Sequence, residues 1–282
     1  MRVLITGATG QLGTELCRVF SAETVFPFDL PEFDFADPNL AERIVREQPD
    51  LIVHAGAFTD VDGAEREPAR ASAINATGTE RVAIAAQRCG ARLFYISTDY
   101  VFPGTKMTPY EETDSPAPLN VYGRSKWEGE QAVHRSGVRS LIIRTAWLYG
   151  QHGKNFVKSI MHAVRTQAAL QVVADQRGCP TYAEDLAVAI RSLADRQVEG
   201  ILHVTNRGDC TWHEFACAIV AEMGRPIPVH PITTQMAGRL ALRPAYSVLA
   251  QDRVRSLGLI LPDWRDALTR FMHSQQGAMV AP

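Results

Sequence analysis

The sequence lacks a marked excess of charge, and it lacks long apolar runs. Its 29 Lys and Arg residues nearly balance 31 Asp and Glu residues, which leaves a net charge of −2. No basic field therefore favours binding to nucleic acid. No uninterrupted apolar stretch is long enough to span a bilayer, so we expect no membrane partner. No basic region or cleavage site precedes the first apolar run, so we expect no signal peptide.

Cysteine is scarce and shows no pairing pattern. The residues are Cys17, Cys89, Cys179, Cys210 and Cys217. They are scattered and odd in number, and no two of them form a CxxC pair. The eight histidines show no metal-ligand spacing either. We therefore expect free thiols in a reducing cytoplasm, with neither disulfides nor a zinc site.

Apolar and amphipathic segments alternate through the first half of the chain. A hydrophobic fraction of 46% and a charged fraction of 21% are ordinary for a globular protein. Strand-like runs cover 24–29, 51–56, 92–97 and 140–144, after a first run at 2–6. Helix-like stretches lie between them at 39–47, 65–90 and 121–134. This alternation predicts an α/β fold of Rossmann type, a doubly wound parallel sheet with helices on both faces.

The second half is less regular. Helical patterns at 155–166, 182–195 and 211–223 accompany one extended run at 170–173, and Pro226, Pro228, Pro231 and Pro244 interrupt the later segment. We predict an NAD(P)-binding domain over 1–150. Residues 151–282 would form mainly a smaller, mixed α/β substrate domain, with strands after residue 150 free to return to the first sheet.

A glycine-rich loop follows the first strand-like run. Gly7 permits a tight turn, Gly10 lets the backbone approach a pyrophosphate, and Gly13 lets helix and strand pack closely. Free N–H groups and the positive dipole at the following helix start would hold phosphate charge. Glycines also make ordinary turns, but this strand–turn–helix order indicates a dinucleotide site.

A tyrosine and a lysine stand four residues apart at Tyr122 and Lys126. Asn120 can cap a helix here, and Pro116 and Pro118 prevent an earlier start. One helical turn separates the two side chains, so they share a face. An adjacent ammonium would lower the pKa of the phenol toward the working range. The same spacing also occurs by chance on solvated helix faces.

A polar pair ends the fourth strand-like run at Ser97 and Thr98. A hydroxyl at this position could hydrogen-bond a substrate carbonyl and align it with Tyr122. Strand alternation lets only one of the two side chains face the cleft, and we assign Thr98. The alternative is a polar strand end with a turn at Asp99.

Several motifs together resemble one enzyme family. They are the glycine loop, Ser-Thr-Asp-Tyr-Val-Phe-x-Gly from residue 97, Pro-Leu-Asn-x-Tyr-Gly-x-x-Lys from residue 118, and Arg-Thr-x-Trp-x-Tyr from residue 144. The chain resembles the extended short-chain dehydrogenase/reductase superfamily and, within it, the dTDP-4-dehydrorhamnose reductases. The likeness continues through 175–181, 211–213 and Arg243-Pro244, so it covers nearly the whole chain.

The resemblance implies roles for particular residues. The catalytic set would be Thr98, Tyr122 and Lys126, with Tyr122 donating the proton and Lys126 also binding the nicotinamide ribose. The cofactor positions would be Gly7, Gly10, Gln11, Leu12, Asp29, Asp34, Phe35, Ala57, Phe58, Thr59, Tyr122 and Lys126. The sugar-nucleotide positions would be Thr98, Asp99, Trp147, Gln176, Pro180, Thr181 and Arg243. Arg243 could pair with the diphosphate, or it could be a surface arginine in a proline-rich loop.

The choice of nicotinamide cofactor is open at this point. Asp29 ends the second strand-like run, where a carboxylate would accept from a ribose 2′-OH and repel a 2′-phosphate. No arginine in the glycine loop compensates. The residue favours NADH, whereas the family is usually described with NADPH and accepts both. We expect NADPH first, with NADH as the alternative.

The resemblance also raises the question of a metal. Some members bind Mg2+ between subunits through glutamates, and Glu15 and Glu184 match two of those positions. No acidic residue matches the third position, near Ser274. Because hard cations need several oxygen ligands, we do not expect a metal-bridged dimer. A homodimer without metal stays a candidate assembly.

The implied function is reduction of the C4 ketone of a dTDP-sugar, dTDP-4-dehydro-L-rhamnose, by NADPH or NADH. Two alternatives stand beside it. One is an epimerase or 4,6-dehydratase of the same superfamily, although Tyr100 follows Asp99 where a dehydratase would carry a glutamate. The other is a non-catalytic subunit similar to the regulatory subunit of methionine adenosyltransferase.

Overall fold

A computed structural model of the chain describes residues 1–280 and the side chains of residues 1–275. Residues 281 and 282, the end of the predicted second domain, lie outside the described residues. The strands are β1 Arg2–Thr6, β2 Thr24–Phe28, β3 Leu51–His54, β4 Arg92–Thr98, β5 Ser140–Thr145, β6 Leu148–Tyr149, β7 Leu170–Val173, β8 Arg177–Gly178, β9 Thr181–Tyr182, β10 Gly200–His203, β11 Cys210–Thr211 and β12 Val229–Ile232. The helices are α1 Gln11–Val19, α2 Leu40–Arg46, α3 Val61–Arg66, α4 Pro68–Ser72, α5 Thr79–Cys89, α6 Val121–Ser136, α7 Phe156–Thr166, α8 Ala183–Ala194, α9 Trp212–Glu222, α10 Thr234–Ala237, α11 Asp252–Ser256 and α12 Trp264–Val280.

The main sheet has six strands in the order β10-β5-β4-β3-β1-β2, and every neighbouring pair is parallel. The chain leaves β1 toward β2 and then returns to the other side of β1 as β3. This reversal is a topological switch point, where sheets of this type bind ligands beyond the carboxyl ends of the strands.

Both faces of this sheet are buried. Val3 and Ile5 of β1 pack into one core with α1 and α8, whereas Leu4 packs into a second core with α2, α5 and α6. Successive side chains of a strand point to opposite faces, so an unbroken apolar run is suited to a sheet covered on both sides. The predicted α/β doubly wound fold is confirmed.

The helix predicted over 65–90 is wrong as a single element. Its residues form the end of α3, then α4, then a π-helical segment at Ala73–Gly78, then α5. Pro68 begins α4, where its missing N–H is tolerated, and it could not sit inside a continuous helix. The break lets Asn75 of the π-helical segment reach the loop after β3.

The second half carries a core of its own around Phe215, Trp264 and Phe271, built by α7, α9 and α12 with short two-stranded sheets. Not all of this half is separate, because β10 is the edge strand of the main sheet and α8 packs against the same core as α1. The division near residue 150 stays a prediction.

Residues 1–280 contain no helix that combines the length and apolar character needed to cross a membrane.

Candidate active site

The glycine loop joins β1 to α1 by a very close backbone approach. Gly7 has a φ of +67°, and a Cβ there would lie 2.7 Å from the Gly56 Cα. A Cβ on Gly13 would lie 1.9 Å from the Gly7 carbonyl oxygen. No side chain caps α1 at Gly10, and the first turn carries no acidic residue. The positive end of α1, with the predicted contacts Gln11 and Leu12, is therefore suited to a phosphate group.

The other predicted cofactor positions lie around the same edge of the sheet, since β1, β2 and β3 are parallel neighbours. The Phe35 ring lies against Gly56, where a Cβ would come within 2.3 Å of it. Asp34 accepts from the Ala36 amide within its own turn. The backbone amide of Phe58, between Ala57 and Thr59, donates to the Asn75 Oδ1, and the Phe58 carbonyl accepts from the Asn75 Nδ2. These contacts fix the loop after β3.

Asp29 is already held by the glycine loop. Its Oδ2 accepts from the Thr9 amide and the Thr9 hydroxyl, each at 2.7 Å, and its Oδ1 accepts from the Leu30 amide at 2.8 Å. The carboxylate thus lies beside the phosphate loop, as expected of a residue that meets a ribose hydroxyl.

Helix α6 carries Tyr122 and Lys126. Asn120 caps it, with its Oδ1 accepting from the Gly123 amide at 2.7 Å. The Tyr122 phenol lies close enough to Thr98, at the end of β4, for Thr98 to lower its pKa. The Lys126 ammonium donates to the Ile96 carbonyl at 2.7 Å and lies 4.2 Å from the centre of the Tyr95 ring. The three predicted catalytic residues therefore lie on two adjoining elements, α6 and β4.

The charge states differ from the expected ones. Burial raises the pKa of Tyr122 to about 12, and its hydrogen bond to Thr98 opposes that rise only in part. Burial also lowers the pKa of Lys126 to about 7, against the effect of Glu130. The expected lowering of the Tyr122 pKa by Lys126 is wrong for this structure, because burial dominates and Lys126 is not among the groups that act on Tyr122.

Ser97 and Thr98 point to opposite sides of β4. Ser97 donates to Glu130 of α6 at 2.5 Å, and Thr98 donates to the Asp99 Oδ1 at 3.1 Å. The other oxygen of Asp99 accepts from Ser247 at 2.6 Å. Burial raises the pKa of the Asp99 carboxyl to about 7, although both hydroxyls oppose this by stabilising the carboxylate. Thr98 and Asp99 are thus hydrogen-bonded to each other and buried, and Tyr122 beside them is partly exposed.

A buried ion pair lies beneath the catalytic helix. The Arg144 guanidinium of β5 donates from Nε to Glu130 Oε1 at 2.9 Å and from Nη2 to Oε2 at 2.7 Å. The two side chains are 1% and 5% exposed. Such a bidentate contact holds α6 at a fixed angle on the sheet.

A cavity of about 970 Å³ opens between the two halves of the molecule. Gln176 and Arg243, both predicted substrate positions, line it together with Tyr100 and Trp212. Gln176 also donates to the Thr234 hydroxyl at 2.9 Å.

Arg243 is not free. Its Nη1 and Nη2 donate to the two oxygens of Asp62 at 3.2 and 2.9 Å, and the hydrogen bond from Arg243 holds the pKa of the Asp62 carboxyl below its usual value. Asp62 also accepts from the Ala241 amide at 3.0 Å, and Arg239 lies 3.8 Å away. The loop that carries Arg243 is therefore held to α3, and both line the cavity.

The remaining predicted substrate positions lie deeper. Trp147 has a φ of +47° and stacks on Trp212, which lines the cavity, with ring centres 3.5 Å apart. Pro180 is buried, and the fully buried Thr181 donates to the Cys179 carbonyl. Trp147 is thus linked to the cavity through Trp212, whereas Pro180 and Thr181 are buried and do not line it.

The two candidate metal positions are bridged by an arginine. Arg18 donates to Glu15 at 2.9 Å and to Glu184 at 2.8 Å. Among the described residues, no group of three or more His, Cys, Asp or Glu side chains could hold a metal ion. Glu15 and Glu184 act here as partners of Arg18.

Sequence reasoning missed Asp62, Asn75 and Ser247. Each acts on a residue far along the chain, namely Arg243, Phe58 and Asp99. Each has an ordinary polar side chain in a segment without a recognisable pattern, so the sequence offered no local signal for them.

Comparisons with known proteins identify the family of the chain. The model of the family described as the RmlD substrate binding domain matches residues 1–276. A dTDP-4-dehydrorhamnose reductase of Mycobacterium tuberculosis is 42% identical over 95% of this chain and 91% of the relative. The spore coat polysaccharide biosynthesis protein SpsK of Bacillus subtilis is 40% identical over 98% of this chain and 99% of the relative.

Solved structures show the same likeness. The dTDP-4-dehydrorhamnose reductase of Bacillus anthracis, crystallised in complex with NADP, superposes with a TM-score of 0.94 at 42% identity, over 97% of this chain and 99% of that one. A UDP-glucose 4-epimerase of Thermus thermophilus, 22% identical over 99% of this chain and 100% of that one, has a TM-score of 0.84 and shows the shared fold alone. The sequence motifs had indicated a resemblance of the chain to the dTDP-4-dehydrorhamnose reductases, and the relatives bear this name. The chain belongs to the family described as the RmlD substrate binding domain.

Proposed function

We propose that this protein reduces the C4 ketone of dTDP-4-dehydro-L-rhamnose to dTDP-L-rhamnose with a reduced nicotinamide cofactor. The observation that carries the proposal is Tyr122 beside Thr98 of β4, in a sheet that also carries an uncapped phosphate loop, in a chain 42% identical to reductases of this name. The phosphate loop follows β1 and Thr98 ends β4, both at the carboxyl edge of the main sheet, and Tyr100 just after β4 lines a cavity of nucleotide-sugar size, which supports one continuous site.

Tyr122 is the proposed proton donor. Since burial raises its pKa to about 12, the phenol holds its proton at neutral pH, as a general acid must before it acts. Thr98 aligns the ketone oxygen with the phenol. The cofactor would supply a hydride to the ketone carbon, and the phenolic proton would go to the oxygen that becomes the alcohol.

The cofactor positions support a dinucleotide. The uncapped start of α1 would take the pyrophosphate, Asp29 a ribose hydroxyl, and the Lys126 ammonium the nicotinamide ribose. We propose NADPH as the first cofactor, because a relative 42% identical was crystallised with NADP. NADH stays the alternative, because the Asp29 carboxylate would repel a 2′-phosphate.

The 970 Å³ cavity is the proposed site of the nucleotide diphosphate, with Arg243 and Gln176 as its polar contacts. Trp147, which stacks on Trp212 of the cavity lining, and Asp99, next to Tyr100 of that lining, would lie toward the sugar. Arg243 would need to share its guanidinium between Asp62 and the diphosphate. We further propose that residues 1–150 form the cofactor domain. We also propose that the protein is located in the cytoplasm and that it forms a homodimer.

The test is a spectrophotometric assay with dTDP-4-dehydro-L-rhamnose, in which NADPH and NADH oxidation are compared. We expect Tyr122→Phe to reduce turnover about 10²- to 10⁴-fold with cofactor affinity nearly unchanged, because only the acid is lost. Tyr246→Phe, which removes a phenol outside the site, should retain wild-type turnover. Turnover of wild-type size in Tyr122→Phe would remove Tyr122 from the mechanism.

The same assay separates the alternatives. A reductase oxidises added cofactor in proportion to the sugar consumed, whereas an epimerase or dehydratase recycles a bound cofactor and gives no net oxidation. No oxidation together with a stoichiometric protein partner in a pull-down would favour a regulatory subunit.

A further inference from the structure

A row of four hydroxyl and carboxyl groups runs from the second half of the chain into the active site. Ser247 donates to Asp99 Oδ2 at 2.6 Å and Thr98 donates to Asp99 Oδ1 at 3.1 Å. Thr98 in turn lies close enough to the Tyr122 phenol to lower its pKa. Ser247, Asp99 and Thr98 are 1%, 2% and 6% exposed. The row is closed to bulk water except at its Tyr122 end, where the ketone would lie.

The hydrogen bonds of Thr98 limit what its single proton can do. A hydroxyl has one donor and two acceptor sites. Thr98 Oγ1 accepts from the Tyr100 amide at 3.2 Å, which uses one acceptor site. If Asp99 is ionised, the Thr98 proton points to Asp99, and Thr98 can only accept from Tyr122. The phenolic proton then points to Thr98 and away from the ketone.

Protonation of Asp99 reverses the direction in which these groups donate their hydrogen bonds. A carboxylic acid at Asp99 donates to Thr98, so the Thr98 proton is free to point to the Tyr122 oxygen. The phenol is then free to donate to the ketone, and the phenolate that forms receives a hydrogen bond. Only when Asp99 is protonated can Thr98 donate to Tyr122 while Tyr122 donates to the ketone.

We propose that Asp99 is the proton reservoir of the reductase, delivering its proton through Thr98 to Tyr122 as Tyr122 protonates the ketone oxygen. The inference rests on the proposed function. As a hydride from the reduced nicotinamide cofactor reaches the carbon, the Tyr122 O–H breaks and the alcohol O–H forms. The Thr98 proton moves to the phenolate, and the Asp99 proton moves to Thr98. Asp99 ends as a carboxylate, while Thr98 and Tyr122 are restored.

The surroundings of Asp99 support this order. The groups that act on its carboxyl are the hydroxyls of Ser247 and Thr98 and two backbone amides. The titratable groups facing it are Tyr100, Tyr122 of α6, and Cys179 before β9, and burial keeps all three neutral by raising each pKa. The pKa of Asp99 is raised to about 7, below the value of about 12 for Tyr122, so the proton passes to the phenolate downhill.

Ser247 is a positioning residue in this scheme. Its hydroxyl donates to the oxygen of Asp99 that does not face Thr98, so it stabilises the carboxylate left after transfer. It also directs the acidic proton of Asp99 to the oxygen beside Thr98, because the other oxygen is occupied by a donor.

The experiment measures the single-turnover reduction rate against pH for wild type, Ser247→Ala and Asp99→Asn. We expect the wild-type rate to fall above about pH 7. Removing the Ser247 donor destabilises the carboxylate and raises the pKa of Asp99, so the fall should move about 1 pH unit higher. Asp99→Asn should lose this fall and react at least about 10-fold more slowly at pH 6, since an amide cannot release a proton. Ser256→Ala, whose hydroxyl donates to the Arg253 carbonyl on an exposed helix, should keep the wild-type profile.

Lys126 makes the Ser247 variant necessary. The pKa of Lys126 is also about 7, so a fall near that pH could report the lysine. Ser247 contacts Asp99 and not the lysine, whose ammonium donates to Ile96. A fall that stays in place in Ser247→Ala, or that survives in Asp99→Asn, would overturn the proposal.

A second readout needs no substrate. The carboxylic C=O band of a protonated aspartate is measured by infrared spectroscopy from pH 5 to 9 in wild type and Ser247→Ala, and the band absent from Asp99→Asn is assigned to Asp99. We expect it to disappear at a higher pH in Ser247→Ala. If the keto-sugar is not reduced but the band titrates in this way, the proposed function fails while the Asp99 titration stands. If no such band exists between pH 5 and 6, the reservoir is excluded.

Discussion

Two arginine–carboxylate pairs, one in each part of the site, are built in different ways. Glu130 and Arg144 are 14 residues apart, almost fully buried, and join α6 to the neighbouring strand β5. Asp62 and Arg243 are 181 residues apart, about one-sixth exposed, and join α3 to a loop of the second half. The first pair fixes the catalytic helix on the sheet, and the second fixes a cavity wall.

The difference concerns how each part of the site is held in place. The catalytic and cofactor positions lie on the main sheet, on the loops that follow its strands, and on α6, which the buried Glu130–Arg144 pair holds against that sheet. The cavity wall at 239–243 depends on side chains, namely Asp62 to Ala241 and Arg243, and Asn120 to the Leu242 carbonyl at 2.7 Å. Damage to the first part should therefore affect folding, and damage to the second should affect substrate binding.

The largest effect is expected at Glu130. Glu130→Gln leaves the Arg144 guanidinium buried without a counter-charge, so the free energy of unfolding should fall by about 3–5 kcal/mol. Urea denaturation measures it. Glu42→Gln, in the exposed pair with Arg88, is the matched control and should change little. Equal losses in both variants would show that burial of the pair is not what stabilises α6.

Gly13→Ala should have the second-largest effect on stability. The new Cβ would lie 1.9 Å from the Gly7 carbonyl oxygen and 2.7 Å from the Ala8 Cα, so backbone must move. We expect a loss of about 1–3 kcal/mol in the free energy of unfolding and weaker cofactor binding. Thermal unfolding and cofactor titration measure the two effects.

Gly137→Ala is the control for that variant. Its φ is +66° and nothing lies within 4 Å of its Cβ, so it carries backbone strain of about 1 kcal/mol without overlap and should bind cofactor normally. If Gly13→Ala binds cofactor as tightly as Gly137→Ala does, the close approach of loop and helix is not needed for the site.

Asp62→Asn should have the smallest effect on folding and a selective effect on substrate. Arg243 and the Ala241 amide lose part of their anchor, so the KM for the nucleotide sugar should rise about 10-fold, roughly 1.4 kcal/mol, with cofactor affinity unchanged. Asp195→Asn, in an exposed pair with Arg191, is the control. A lower KM would mean instead that Asp62 restrains an Arg243 that binds better when released.

Much of the part of the site that holds the catalytic and cofactor positions could be predicted, because its sequence signals are local. The loop around Gly7 and the Tyr122–Lys126 spacing each lie within one strand–turn–helix or one helical turn, and the structure has them in that form. The effect of Lys126 on Tyr122 was mispredicted, because the spacing shows that two side chains share a helix face but not how strongly burial shifts the pKa of each.

The cavity wall and the contacts behind Asp99 were less predictable, because they depend on residues that are distant in the sequence. Ser247 and Asp62 have no pattern around them, and they matter only because the fold brings them to Asp99 and Arg243. Arg243 itself was identified by resemblance, but its pairing with Asp62 could not be read from residues 181 positions apart.

The sequence by itself determined the alternating fold, the phosphate loop and the helix that presents Tyr122, because hydrophobic period, glycine conformation and helix capping act over a few residues. Only the tertiary structure decided which groups are buried together, and therefore which carry charge. Asp99 next to Ser247, Lys126 against Ile96 and Arg18 between Glu15 and Glu184 are products of packing, since the energy of an ionisable group depends on everything folded around it.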